Sequence, residues 1–292
     1  MSTNAIVPQS TLDFTQVTFG DVRLNKAGGK SIPIKYSGQN LQIRLEKATY
    51  PMGVNIRENE NGTTYNMSLS LRGCDAYAKE RAGAEAGSTG KLYNFLLDLQ
   101  EGVLQHATKN AKKIFGKDRS LEVLRDTMKS FISPSVEKVN GEWVPTGKYP
   151  PSLKMKVPVY GGDVAMDVTD HMGKRVEIDI DNLASVFPKR CEASIVVSPS
   201  IYVTGTGFGV TWRITYAKVS PPQRTTAADV FRDEIEEEQR GSSAVGTETS
   251  PEEAAPAAEE ETHQDEVSVP VAAPVPAPAP ASRRKVKASA AV

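Results

Sequence analysis

The chain has 292 residues, of which 35 are lysine or arginine and 36 are aspartate or glutamate. It has no apolar run of about 18 residues and begins without the regions of a signal peptide, so we expect a soluble, intracellular protein that does not contact membranes. Two cysteines and three histidines at no ligand spacing argue against a metal centre, and we expect free thiols and no cofactor.

The charge is segregated along the chain. Residues 1–222 carry 28 basic and 22 acidic side chains, a net charge of +6, whereas residues 223–266 carry 3 basic and 14 acidic ones, a net charge of −11. The final residues are basic again, within the run RRKVK at 283–287. Charge segregation of this kind gives information about binding partners rather than about the fold. It separates a slightly basic part of the chain from an acidic part at Pro221-Pro222.

Short alternating runs predict β-strands in the first part of the chain. They cover residues 14–19, 31–36, 40–47 and 63–72, the last after an Asn61-Gly62 turn. Apolar residues share one face of these runs, which is typical of half-buried strands in an antiparallel sheet. Residues 1–13 carry no such pattern, so we predict a flexible N-terminus and one folded domain over residues 14–222.

A helical insert follows this block. Residues 83–90 are small and predict a flexible loop, after which Leu92, Phe95, Leu96, Leu99 and Val103 recur at helical spacing. A second amphipathic set lies within residues 121–131. The pattern places the helical insert at about residues 91–132.

A second β block closes the folded part. An Asn140-Gly141 hairpin turn is followed by predicted strands at 152–157 and 175–180 and by a long hairpin with arms at 193–203 and 208–219. Strands, helices and strands again indicate a mainly β fold. A small antiparallel Greek-key barrel with a helical insertion fits this order better than a doubly wound parallel sheet.

Residues 223–292 form an acidic, Pro-Ala-rich tail with a basic end. Its few large apolar groups cannot offset the entropy of ordering, so we predict disorder, apart from a short acidic helix at 227–240.

Catalytic motifs are weak. The stretch AEAGSTGKL superficially resembles a phosphate-binding loop, but Glu85 replaces its first glycine and Leu92 replaces the hydroxyl residue that holds magnesium. Paired acids such as Asp163 with Asp167 lack a neighbouring histidine or metal set. We find no nucleophile with a plausible base, so the sequence favours a protein that is not an enzyme.

Basic residues interleaved with aromatics on strands point to nucleic acid, because single strands are held by cations along the phosphates and by rings that stack on bases. Lys154 and Lys156 share one face of their strand, and Arg213 lies opposite an apolar face that includes Trp212 and Tyr216. For Trp212 both core packing and base stacking are open. Four aromatic residues lie in turns or out of phase with the core, which makes them better candidates for stacking on bases: Tyr50, Trp143, Tyr149 and Tyr202. The candidate nucleic-acid-binding residues are Lys35, Arg44, Arg72, Trp143, Tyr149, Lys154, Lys156, Tyr202, Trp212 and Arg213.

Three runs carry a family resemblance. YNFLLDLQEGV in the helical insert, YPPSLKMKVPV, and the closing hairpin SIYVTGTGFGVTWRITYAKV resemble the single-stranded DNA-binding proteins of nucleocytoplasmic large DNA viruses, of the asfarvirus and chlorella-virus type. The resemblance covers most of residues 14–220. It implies an OB-fold core with a helical insertion that coats single strands without sequence preference during replication, recombination or repair. The matching cationic and aromatic positions are Lys154, Lys156, Tyr202, Trp212 and Arg213.

The tail also resembles those of replication single-strand binders, which dock partner enzymes and compete with nucleic acid, although here it ends in SRRKVKASAAV rather than in an acidic tip. We therefore expect a viral protein that binds single-stranded DNA, with RNA as an alternative ligand, and that meets replication proteins through its tail. The sequence does not decide whether the protein forms a homo-oligomer. The host cytoplasm, the nucleus and the virion are all candidate locations, and RRKVK is a candidate nuclear signal.

Two rivals remain. The first is a virion structural or scaffold protein whose β-core packs against capsid neighbours. The second is a nucleic-acid-processing enzyme without recognisable motifs. If the single-strand hypothesis is correct, cations from separate strands should converge on one face of the sheet.

Overall fold

A computed structural model describes residues 4–24, 28–60 and 62–220, all within one compact unit. The strands before the helices are β1 (Asn4–Pro8), β2 (Val17–Phe19), β3 (Arg23–Leu24), β4 (Lys30–Tyr36), β5 (Gln39–Arg44), β6 (Ala48–Tyr50), β7 (Asn55–Asn59) and β8 (Gly62–Ser70). The helices are α1 (Gly87–Lys109), α2 (Ala111–Phe115), α3 (Leu121–Thr127) and α4 (Leu183–Val186). The later strands are β9 (Ile132–Ser133), β10 (Val136–Val139), β11 (Glu142–Pro145), β12 (Ser152–Lys156), β13 (Val159–Tyr160), β14 (Asp163–Val164), β15 (Asp167–Thr169), β16 (Arg175–Val176), β17 (Cys191–Val203) and β18 (Phe208–Ser220).

Most strands join one sheet, whose main path runs β1-β5-β4-β17-β18-β12-β8-β7. The mainly β prediction with a helical insertion is confirmed. The predicted antiparallel barrel is wrong in two respects, because the described strands are not closed into a barrel and because β1–β5, β12–β18 and β15–β18 pair in parallel. Alternation along a strand predicts which face is buried, but it does not specify the neighbouring strand or its direction.

The two longest strands, β17 and β18, lie at the centre of this sheet. The predicted final hairpin is confirmed, and β17 also pairs with β4, β5 and β6. On β17 every second residue from Cys191 to Ile201 is buried in the core. The two strands shift register between Val196 and Val197, which marks a β-bulge in β18.

The helical insert packs against the core mainly through α1. Leu92, Phe95, Leu96, Leu99 and Val103 are all buried, as their spacing predicts. The segment 83–90 is not a plain loop, since a 3-10 helix covers Ala84–Ala86 and α1 already begins at Gly87. A Cβ at Gly90 would lie 2.6 Å from the Ala86 Cβ, so these small residues permit close packing.

Three boundaries differ from the sequence predictions. Asn4–Pro8 pairs with β5 and Gln9 is buried, so the described core begins well before residue 14. A 3-10 helix occupies Phe14–Gln16, capped by the Asp13 carboxylate, and leaves only Val17–Phe19 as a strand. Within the predicted strand 175–180, only Arg175–Val176 pairs.

The Asn140-Gly141 turn joins β10 and β11 as predicted, with φ of 51° and 92°, the left-handed values that a tight hairpin needs. Asn61 of the other predicted turn lies outside the described residues, although Asn59 and Gly62 pair across it. The predicted boundary at 222 and the tail 223–292 also lie outside them. No helix in the described ranges has the length and apolar character needed to cross a membrane.

Candidate nucleic-acid interface

A groove opens where β12 and β18 diverge. The two strands pair in parallel at Lys156 and Arg213. Beyond this pair the segment after α3 enters between them, with Met128 bridging to Phe208 and Ile132 pairing with Leu153. The resulting cleft of about 310 Å³, called here the sheet groove, is lined by Asn66, Lys129, Ser130, Phe131, Ser133, Lys154, Lys156, Tyr202, Val210, Thr211 and Trp212.

Three lysines line the sheet groove. Lys154 and Lys156 are exposed on β12, whereas Leu153 and Met155 between and beside them are buried, so the predicted alternation is confirmed. Lys129 comes from the segment after α3, where its backbone N–H donates to the Phe208 carbonyl at 2.8 Å. Side chains from two distant parts of the chain thus place positive charge around one cleft.

The positive charge of the sheet groove is not neutralised by any of the described residues. No aspartate or glutamate belongs to its lining, and none of the ion pairs in the described part of the chain includes these three lysines. Although Lys154 is exposed as a whole residue, partial burial of its ammonium group, together with the nearby Arg57 cation, lowers its pKa. An anionic ligand would relieve this repulsion.

Tyr202 forms one side of the sheet groove. It lies on the outward face of β17, opposite Gly209 of β18. A Cβ at Gly209 would lie 3.0 Å from the Tyr202 hydroxyl and 3.1 Å from the Lys129 Cβ, so the glycine allows the ring to lie close over the strand. The ring is half-buried, and burial raises the pKa of its hydroxyl. Its position out of the core phase agrees with the prediction.

Trp212 lies at the floor of the sheet groove rather than at its surface. Its ring is 3% exposed and meets Phe131 edge to face, with ring centroids 6.0 Å apart. The stacking alternative for Trp212 is therefore wrong, because the even-numbered phase of β18 places it in the core. Within the described residues its buried Nε1 has no hydrogen-bond partner.

Arg213 and Tyr160 extend the surface beyond the sheet groove. Arg213 is exposed, and its guanidinium lies 5.8 Å from the centroid of the Tyr160 ring, a cation–π contact. Tyr160 is 53% exposed on β13. The pair presents a cation and a ring beside Lys156.

The remaining predicted residues lie elsewhere. Lys35 is opposite Asn40 at the β4–β5 turn, and Arg72 lies two residues beyond the end of β8. Neither lines the sheet groove. Arg44 lines a different cleft on the outward face of the sheet. Tyr50 is fully buried, so it cannot stack on a ligand.

Trp143 and Tyr149 lie on or near the β10–β11 hairpin. Trp143 is 68% exposed, and Lys138 is its cross-strand neighbour. Tyr149 is 62% exposed, with the Lys148 ammonium 5.7 Å from its ring centroid. Both are available to a ligand, but neither belongs to the sheet groove.

Sequence patterns did not identify four residues that lie in or near the sheet groove and its extension at Arg213. These residues are Lys129, Arg57, Tyr160 and Tyr216. Lys129 falls in the region predicted as helix, which ends at Thr127. The alternation along residues 208–219 predicts Tyr216 on the apolar face, yet Tyr216 is 44% exposed because the bulge changes the phase of β18. The sequence did contain a sign of this change of phase, because an unbroken alternation along the strand would also bury the charged Lys218.

The described residues contain no group of three or more His, Cys, Asp or Glu side chains that could hold a metal ion. Neither protein-family models nor curated protein sequences match the chain. The family of nucleocytoplasmic large DNA viruses is therefore not confirmed.

Among solved structures, gp2.5, a single-stranded DNA-binding protein encoded by bacteriophage T7, is similar at 12% identity and a TM-score of 0.38, covering 72% of this chain and 98% of that chain. The single-stranded DNA-binding protein from bacteriophage Enc34, in complex with single-stranded DNA, is similar at 12% identity and a TM-score of 0.34, covering 70% and 92%. These likenesses are too distant to assign residues.

Proposed function

We propose that this protein is a non-enzymatic binder of single-stranded DNA that does not select a base sequence. The observation that carries the proposal is the sheet groove, which gathers Lys129, Lys154 and Lys156 without an acidic residue in its lining. Cations that lack a carboxylate partner among the described residues suit a chain of phosphates, and the binding of each phosphate releases counterions.

The aromatic residues beside these cations favour a single strand over a duplex. Tyr202 lines the sheet groove, and Tyr160 lies exposed against Arg213. Bases of a single strand can stack on such rings, whereas the faces of the bases in a duplex are already covered by the neighbouring base pairs. Since ring faces and ammonium groups recognise every base and every phosphate alike, the binding would be independent of sequence.

The biological setting is a further part of the proposal. The composition of residues 223–292 supports a tail that docks viral replication proteins, with roles in DNA replication, recombination or repair in the host cytoplasm or nucleus. Packaging in the virion and assembly of several copies are compatible with it.

One observation favours the rival function of a virion structural protein. The β10–β11 hairpin exposes apolar side chains at Val136, Val139, Trp143 and Val144. Exposed apolar side chains that cluster in this way often mark protein contacts. A structural protein would use this hairpin for assembly and would show no salt-sensitive binding of oligonucleotides.

The decisive experiment measures the anisotropy of labelled oligothymidylate with the full chain and with a 1–222 truncation, across salt. Duplex DNA and an RNA strand of equal length are the matched ligands. We expect tight binding of the single DNA strand at low salt, with affinity falling linearly in log salt by about 0.7 per phosphate contact. Failure of the truncation to bind at low salt would exclude the proposal. Cleavage of the labelled strand with added magnesium would instead indicate an enzyme.

A further inference from the structure

A second cleft lies on the outward face of the sheet, on the other side of the bulge in β18. Its volume is about 520 Å³, and Arg44, Lys47, Tyr216 and Lys218 belong to its lining. Val196 of β17 is the register partner of both Arg44 and Tyr216. Because directly opposed residues share a face, these three lie in one row across β5, β17 and β18. We name this site the bulge cleft.

The bulge at Thr215 creates the row. Val197 opposes Ile214 and Val196 opposes Tyr216, so Thr215 is the extra residue, and its hydroxyl donates to the Val196 carbonyl at 3.1 Å. Before the bulge Trp212 and Ile214 face the core. After it, the buried residues are Ala217 and Val219. Tyr216 is turned outward as a result.

Tyr216 has open space on two sides. Besides the bulge cleft it lines a neighbouring cleft of about 360 Å³, together with Met166, Asp167 and Arg175. Its side chain therefore forms a partition between two open volumes. An exposed ring with free space beside it is the arrangement that accepts a stacked base.

The free charge in the bulge cleft is positive. Of its two acids, Asp167 is paired with Arg175 at 3.3 Å, whereas the Glu46 carboxylate accepts a hydrogen bond from the neutral Ser88 hydroxyl at 2.6 Å and keeps its charge. Glu46 is outnumbered by Arg44 and Lys218 of the same lining. Lys47 contacts Glu192 at 2.5 Å. Arg44 and Lys218, in contrast, have no carboxylate partner in the described part of the chain.

Arg213 connects the two sites. On β18 it lies between Thr211, which lines the sheet groove, and Tyr216, which lines the bulge cleft. The distance from Thr211 to Lys218 along an extended strand is roughly 23 Å. A single strand leaving the sheet groove would pass Arg213 and Tyr160 before it reached Tyr216.

We infer that the bulge cleft is a second subsite for the same single strand, in which Tyr216 stacks on a base while Arg44 and Lys218 bind the flanking phosphates. This inference rests on the proposed function. It adds the path that the nucleic acid follows across the sheet, from the sheet groove to the bulge cleft. Short oligonucleotides occupy one site, and longer ones gain affinity by reaching both.

The test measures affinities of the full chain for oligothymidylates of about 4 to 16 nucleotides, the range of site sizes for one such domain. The readout is the ratio of the affinity for the longest oligomer to that for the shortest. In Tyr216→Leu we expect this ratio to fall roughly 5- to 150-fold, the equivalent of one lost stacking contact. Tyr216→Phe should restore it. Tyr77→Leu is the matched control, because Tyr77 is 47% exposed and lines neither site.

The outcomes separate the two claims. If the wild-type chain binds no oligomer of any length, the proposed function fails. If it binds but the ratio in Tyr216→Leu equals that of Tyr77→Leu, the function stands and the second subsite is refuted. A photo-crosslinking thymidine analogue at one end of the long oligomer should label peptides containing Tyr216. If no crosslink is found on the part of β18 that follows Thr215, the second subsite is also refuted.

Discussion

Lys156 and Arg213 lie directly opposite each other where β12 and β18 run in parallel, and neither has a carboxylate partner among the described residues. Like charges in opposed positions destabilise a sheet by a few tenths of a kcal/mol up to about 1 kcal/mol. Arg57 on β7 is a further cation on this side of the sheet, and after burial its charge is the second cause of the lowered pKa of Lys154. The free protein carries this repulsion, and binding of a polyanion removes it.

Replacement of Lys154 by methionine should weaken binding and stabilise the free protein. The folded state lowers the pKa of Lys154 through burial and through Arg57, so folding disfavours its charged form, and loss of the charge should raise the Tm. The slope of log affinity against log salt should decrease by about 0.7, one phosphate contact on a single strand. Calorimetry and salt titrations measure the two effects. Lys189→Met, at an exposed position outside the sheet groove, is the control and should change neither.

Gly209→Ala should displace Tyr202 and lower the affinity for single strands. The new methyl group would lie 3.0 Å from the Tyr202 hydroxyl and 3.1 Å from the Lys129 Cβ, so both side chains must move by a few tenths of an ångström. We expect a loss of about 1 kcal/mol in the free energy of unfolding, measured in urea. Gly205→Ala is a matched control, because no atom beyond the two adjacent residues lies within 4 Å of a Cβ placed there. Equal affinities for the two variants would contradict the role given to Tyr202.

Trp212 and Trp143, the only two tryptophans, should respond differently to substitution and to ligand. Trp212→Phe keeps the contact with Phe131 and removes an unpaired donor, so the protein should remain folded and bind oligonucleotides, whereas Trp212→Ala should lose about 3–5 kcal/mol of stability. In Trp212→Phe all tryptophan emission comes from Trp143. If Trp143 stacks on bases as predicted, single-stranded DNA should quench this emission; an unchanged spectrum at saturation would remove Trp143 from the interface.

The two cysteines should make stability fall at high pH. Burial raises the pKa of the Cys74 and Cys191 thiols to about 11, and both are free. The thiols of the unfolded chain lose their protons first, so the free energy of unfolding should be unaffected below pH of about 8.5 and decrease as the pH rises towards about 11. Urea unfolding across this range measures the effect, and the double variant Cys74→Ala, Cys191→Ala should show a smaller decrease. Thiol reagents at pH 8 should react slowly with the native protein.

The parts of the site that sequence could predict are those decided by local alternation. The period of two on residues 152–157 correctly placed Lys154 and Lys156 outside and Leu153 and Met155 inside, and the same logic found Tyr202. Both depend only on one buried face per strand.

The parts that sequence could not predict depend on distant contacts. Nothing near Lys129 indicates that its segment enters between β12 and β18, and nothing near Lys35 or Arg72 indicates that they lie away from the groove. Tyr216 is an intermediate case, because Ala217, Lys218 and Val219 together already indicated a change of phase.

The position of β17 has a consequence for how the chain folds. This strand pairs with β4, β5 and β6 near one end of the sequence and with β18 near residue 220, so the N-terminal strands lack their central neighbour until residues 191–203 have been synthesised. At about 5–20 residues per second, the ribosome needs roughly 8 to 30 s to travel from β5 to β17. Throughout that interval β4 and β5 lack the strand that pairs with them in the folded protein, and we expect chaperones to bind these unpaired strands during translation.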